Sequence, residues 1–220
     1  MTEPGAGMTE PGAGMTEPGA GMTVTGGDGI GRGDDGIGML TLSQIDEATV
    51  AALLAAYGLT LARVADGAAI PGSYWGEPEA GIIGDTVHAR GDTPVHSLLH
   101  EAAHLIVLPL ERRAAVNTDA TDSVEEEDAV LVLQVLLGDA LPGVGAERVL
   151  SDMDAWGYTY RLGSAAAYVR GDADAAWAWL QARGLVDADR RLAPPPCGSR
   201  FSGDALRQPL AAEAAPTPRP

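Results

Sequence analysis

Between Pro94 and Pro109 the chain reads Val-His-Ser-Leu-Leu-His-Glu-Ala-Ala-His-Leu-Ile-Val-Leu, and no other stretch limits the fold as much. A run of this length without an internal Gly or Pro predicts one helix. Pro94 suits the first helical position, where its missing N–H costs nothing, and Asp92 or Thr93 can cap it. Pro109 stops it. The flanks of His-Glu-Ala-Ala-His are apolar on both sides, so the helix is expected to be buried. Two imidazoles and a carboxylate are costly to bury unless they share a partner. The fold must therefore enclose this helix and bring something to its polar residues.

The foldable part of the chain is shorter than its 220 residues. The first 21 are three copies of MTEPGAG, with a Pro and two Gly in each unit. Such repeats bury too little apolar surface to offset the entropy of ordering. The Gly/Asp-rich stretch 26–38 reads as a linker rather than a calcium-binding repeat. The tail 193–220 opens on Ala-Pro-Pro-Pro-Cys and is expected to be disordered as well. Residues 39–192 remain as one domain, enough for a single core. This segment carries the acidity, with twenty-three acids against ten Arg, net −13 of the chain's −17.

Within the domain, Ser43 or Asp46 can cap a helix that runs to about Tyr57 and stops at Gly58. Leu59–Ala65 reads as a strand, 71–76 as a turn, and 80–90 as a second strand. After the 95–108 helix, a polar loop over 117–122 leads to a long helix from about Val124 to Leu137. Gly138 and Pro142 end it. Further helices are expected over 146–156 and 172–183. The order is one helix, a small sheet, then helices, which predicts an α+β fold.

The acid excess argues against nucleic acid, which requires a basic patch to displace counterions, and against anionic membranes. No apolar run approaches the roughly 20 residues needed to span a bilayer. The first residues lack the basic start and apolar core of a secretory signal, so the expected compartment is the cytoplasm. The single cysteine, Cys197, lies in the tail and cannot build a Cys-rich metal site.

On a helix, His100 and His104 lie one turn apart on one face, and both can reach one metal ion at about 2.0–2.1 Å. Glu101 points about 100° further round, where it can contact a metal-bound water without being a ligand. A catalytic zinc takes a third protein ligand and keeps one open position. His96 is one turn before His100, too far along the axis from His104 to share its ion, so packing suits it better. His88, on the strand before the helix, could be a ligand, a substrate contact or an ordinary surface residue. The acids Glu125, Glu126, Glu127 and Asp128 open the next long helix. From Glu126, the positions Ala129, Leu133 and Leu137 share one inward face. Glu125 lines up with Ala129, Val132 and Leu136 almost as well. Glu127 lines up with Leu131 and Gln134 and is expected to face outward. Ser123 could instead form a capping box with Glu126.

His100-Glu101-Ala102-Ala103-His104 resembles the HExxH motif of zinc metallopeptidases. With Glu126 following His104 by 22 residues, the pattern resembles the gluzincin group, in which a second helix supplies a Glu ligand. Glu126-Glu127-Asp128-Ala129 followed by an apolar run is similar to the compact bacterial peptidases of the ImmA/IrrE type. The resemblance covers about residues 90–140. It implies a zincin-like fold, mostly helical, with the small sheet ahead of the HExxH helix. It implies Zn(2+) held by His100, His104 and Glu126, with Glu101 as general base. It also implies that Gly81–Ala89 pairs as an edge strand with an extended peptide or protein substrate. Tyr158 and Tyr160 are candidates to polarise the scissile carbonyl, as is His88. Asp152 and Asp154 could orient a ligand histidine, while Trp177 and Trp179 read as packing. Three functions are thus carried forward: a zinc metallopeptidase, a zinc domain without proteolysis, and an interaction protein in which the motif is incidental.

Overall fold

A computed structural model describes residues 23–24, 38–76, 78–121, 123–159 and 163–195. The repeats and the Pro-rich tail lie outside them. Thr23–Val24, from the leader expected to be disordered, forms β1 and pairs antiparallel with β5 (Tyr158–Thr159).

The domain is α+β and mostly helical, with a three-stranded sheet ahead of the motif helix. Leu42–Gln44 makes one 3₁₀ turn, and α1 (Glu47–Ala56) then starts at Asp46, whose carboxylate accepts from Ala48 N. Of the two candidate caps, Asp46 is the one used. The sheet has the order β2 (Thr60–Arg63), β4 (Thr86–Ala89), β3 (Gly81–Ile83). β2 runs parallel to β4 and β3 antiparallel to it. The single strand expected over 80–90 is therefore a hairpin. Its turn falls at Gly84-Asp85, where Gly84 takes a φ of +61° that other residues avoid.

The helix α2 (Val95–Val107) is buried at every position. Pro94 is its N-cap rather than its first residue, and Thr93 turns back to accept from Arg90 N. A short helix, α3 (Leu110–Arg113), follows, and then α4 (Val124–Asp139), capped by Ser123. From Ala129 to Gly138 α4 is buried on all sides, which places it at the centre of the helical layer. It packs against α2, α5 (Ala146–Trp156) and α7 (Asp174–Ala182). The helix α6 (Ala165–Gly171) was not anticipated; its Ala-rich sequence carries weak periodicity, and Ser164 caps it.

The core is one cluster in which Leu98, Leu99 and Leu105 of α2, Leu133 and Leu137 of α4, and Leu150 and Met153 of α5 are almost fully enclosed. Each large side chain buried there contributes roughly 1.5–3 kcal/mol. Gly138 marks where α4 and α5 touch most closely, since a Cβ there would sit 2.3 Å from Val149 Cγ2. Alanine is the better helix former, yet Gly138→Ala is expected to destabilise the protein by about 1–3 kcal/mol through overpacking. A urea titration of the purified variant measures this, and an unchanged or raised midpoint would refute the contact.

Candidate metal centre

The motif helix delivers what its spacing predicts. His100 and His104 are both more than nine-tenths buried, and their Nε2 atoms approach to 3.1 Å. The third group in this cluster is Glu127, with Oε1 3.5 Å from His104 Nε2. Ligands of one tetrahedral zinc, each at about 2.05 Å, stand about 3.3 Å apart. The two separations bracket that value, all three groups offer donor atoms within 4.8 Å of one another, and two imidazoles with a carboxylate are a donor set zinc accepts. The residues present therefore fit a divalent ion. Among the described residues no other trio of His, Cys, Asp or Glu converges in this way.

Glu126 is elsewhere. Its carboxylate accepts from Arg112 Nη1 at 3.2 Å and from the Thr121 hydroxyl. It fastens the loop between α3 and α4 to the start of α4. The capping box does not form either, because Thr121 Oγ1 accepts from Ser123 N while Ser123 Oγ accepts from Glu126 N. Glu125 is exposed and bonded to Ser123 Oγ. The face expected to point outward, Glu127-Leu131-Gln134, turns toward α2, with Leu131 and Gln134 both buried. An outward face exists only when a helix has one core-facing stripe. α4 has none, because other elements cover it all round.

Gln134 was not singled out as functional by sequence. Its Oε1 lies 2.9 Å from His100 Nδ1, and its Nε2 donates to the Met153 sulfur. Its position seven residues after Glu127 on the same helical face was the available signal. Glu79 was missed too. It is 5% exposed, just ahead of β3, and one carboxylate oxygen accepts from Trp75 N at 3.0 Å.

Among the described residues no Arg pairs with Glu79, Glu101, Asp119 or Glu127. Burial, and then the charges of Glu79, Glu127 and Asp119, raise the Glu101 carboxyl well above its ordinary range. Burial raises Glu127 to about 7, with Asp119, Asp128 and Glu126 adding to the effect. Burial also lowers His100 to about 4 and His104 well below its usual value. At neutral pH both imidazoles are thus in the uncharged form that a metal requires. A divalent cation among these carboxylates reverses their preference and favours the ionised forms.

Glu79 allows a test of this electrostatics without touching the converging trio. Burial raises its carboxyl from 4.5 to about 7. The folded state therefore holds the proton more tightly than the unfolded state, and stability is lost as pH rises from 4.5 through about 7. Buried histidines act oppositely at lower pH, but they are shared with the variant and cancel. Metal-free Glu79→Gln is expected to match the parent near pH 4.5 and to exceed it at pH 8 by on the order of 2–3 kcal/mol. Denaturation at the two pH values measures the difference. Equal stabilities at pH 8 would show that Glu79 is not held in a charge-averse site.

The other candidates sit apart from the cluster. His96 is buried against the Trp156 ring, with centroids 5.3 Å apart. His88 is half-buried on β4, and burial lowers its pKa. Asp152 accepts from Leu40 N and Arg148, and Asp154 from Ala165 N, so neither supports a ligand histidine. Tyr158 contributes its backbone to β5; its side chain and the whole of Tyr160 lie outside the described residues. Trp177 packs into the core, and Trp179 lies under the Arg183 guanidinium.

The edge offered for substrate pairing is β3, and its outer side is already bonded. Ile82 N donates to Gly72 O, Thr118 N to Ile82 O, and Gly84 N to Val116 O. Gly72 is required there, since a Cβ would meet Ile82 O at 2.4 Å. Main-chain pairing between β3 and a peptide needs Thr118 to leave Ile82. Comparison with known protein families, curated proteins and solved structures returns no match. No helix among the described residues is long and apolar enough to cross a membrane.

Proposed function

We propose that the chain is a zinc-dependent hydrolase, and specifically a metallopeptidase with a zincin-like arrangement. One observation carries this reading: His100, His104 and Glu127 converge from two helices, with Glu101 on the same buried surface. Zinc bound by these three groups supplies Lewis acidity, which polarises a carbonyl and acidifies water. Glu101 accepts the proton of the attacking water and returns it to the leaving amine. Burial, and then its acidic neighbours, favour the neutral acid of Glu101, and a cation beside it would favour the carboxylate that takes the proton. The carboxylates of Glu79 and Asp119 favour substrates without negative charge near the scissile bond.

The bonded outer edge of β3 favours a second reading. In it the same centre hydrolyses a small non-peptide substrate that needs no strand pairing, or the metal only supports the fold. Incubation of the purified chain with a mixture of unstructured peptides, read by mass spectrometry, separates the two. The first reading expects cleavage that a zinc chelator stops and added zinc restores. Intact peptides in the presence of a zinc-loaded protein would favour the second.

A further inference from the structure

A neutral imidazole binds a metal through the nitrogen that lacks the proton, so ligation by Nε2 needs the proton on Nδ1. In water the side chain favours the opposite form, with the proton on Nε2. Something must therefore hold His100 in the less favoured tautomer, and the groups around its Nδ1 supply a physical reason.

Gln134 lies on α4 and is fully buried. Its amide could in principle present either end to His100, as acceptor or as donor. The choice is made on its far side. There it faces the Met153 sulfur of α5, and a thioether only accepts. The amide nitrogen must turn to the sulfur, which leaves Oε1 facing His100 Nδ1 at 2.9 Å. Oε1 in turn only accepts, so the proton sits on Nδ1 and the Nε2 lone pair points toward His104 and Glu127. We propose that Gln134, oriented by Met153, is a positioning residue that fixes His100 as its Nδ1–H tautomer and so presets Nε2 for the metal. Gln134 touches neither metal nor substrate and acts only through His100.

His104 is coupled to this choice. Its Nδ1 is buried with no hydrogen-bond partner, and its Nε2 lies 3.1 Å from His100 Nε2, so in the metal-free chain it carries its proton on Nε2 and donates to the His100 lone pair. A change at Gln134 that moves the His100 proton to Nε2 should therefore turn His104 Nε2 into the acceptor and move its proton to Nδ1.

The value of this tautomer for function rests on the metal-site reading above, but the tautomer itself does not, so the two can fail separately. The test uses the full ¹⁵N-labelled chain, stripped with chelator, at pH 7. Long-range ¹H–¹⁵N correlations identify which nitrogen of each histidine carries the proton. The parent is expected to show Nδ1–H at His100. Gln134→Leu is expected to shift His100 toward Nε2–H, to shift His104 toward Nδ1–H in response, and to weaken zinc binding roughly 10–100-fold. Met153→Leu, an apolar swap of similar volume, frees the amide to turn and is expected to raise the Nε2–H fraction at His100. An Nε2–H His100 in the parent overturns the proposal. So does an unchanged Nδ1–H His100 in Met153→Leu and in a folded Gln134→Leu. If Gln134→Leu does not fold, the parent and Met153→Leu decide. A parent that shows Nδ1–H but takes up no zinc would leave the positioning intact and sink the hydrolase.

Discussion

Glu101→Gln is expected to bind zinc as the parent does and to lose peptide hydrolysis by about 10²–10⁴-fold. The substitution keeps the shape of the side chain and removes only its ability to take a proton. Glu101 is not in the converging trio, so the donor set is intact. It is also more than nine-tenths buried among Glu79, Glu127 and Asp119. A neutral amide suits a site whose burial and acidic neighbours already disfavour a charge at Glu101, so the variant should be no less stable than the parent. Loss of turnover with retained metal and retained stability separates proton transfer from every structural role. Parallel measurement of zinc content, thermal midpoint and peptide cleavage on both proteins checks it. Undiminished turnover in the variant would exclude Glu101 as the base.

The site divides into a part legible in the sequence and a part that depended on packing. His100, Glu101 and His104 were legible because a helix fixes the relative direction of residues four apart, whatever surrounds it. The α+β order was legible from caps and stops such as Asp46, Gly58 and Ser123. The third member of the cluster was not. Choosing among Glu125, Glu126 and Glu127 requires knowing which way α4 faces, and its apolar residues run all round it after Asp128. Such a helix has no single inward stripe, and the local sequence is silent on rotation. Arg112 of α3 and Thr121 of the following loop also had to meet Glu126, along a path that no periodicity encodes. The hairpin at Gly84-Asp85 was missed for a different reason. A two-residue turn inside an apolar run leaves the alternation on either side nearly unbroken.

Glu127→Ala is expected to abolish zinc binding, and Glu126→Ala to preserve it. The two variants should also differ in stability, in the opposite sense. Glu127 is a half-buried acid whose charged form is disfavoured by desolvation and then by Asp119, Asp128 and Glu126, so its removal should not weaken the metal-free fold at pH 7. Glu126 anchors Arg112 and Thr121 across the loop, and its removal should cost about 1 kcal/mol. A residue whose loss leaves the apo fold intact while removing the metal is a ligand, and one with the reverse pattern is a structural tie. Elemental analysis of the parent and both variants, each purified, stripped and reloaded identically, tests this most directly. The arrangement of His100, His104 and Glu127 predicts about one zinc per chain in the parent and in Glu126→Ala, and essentially none in Glu127→Ala. Zinc retained by Glu127→Ala, or absent from the parent, would contradict it.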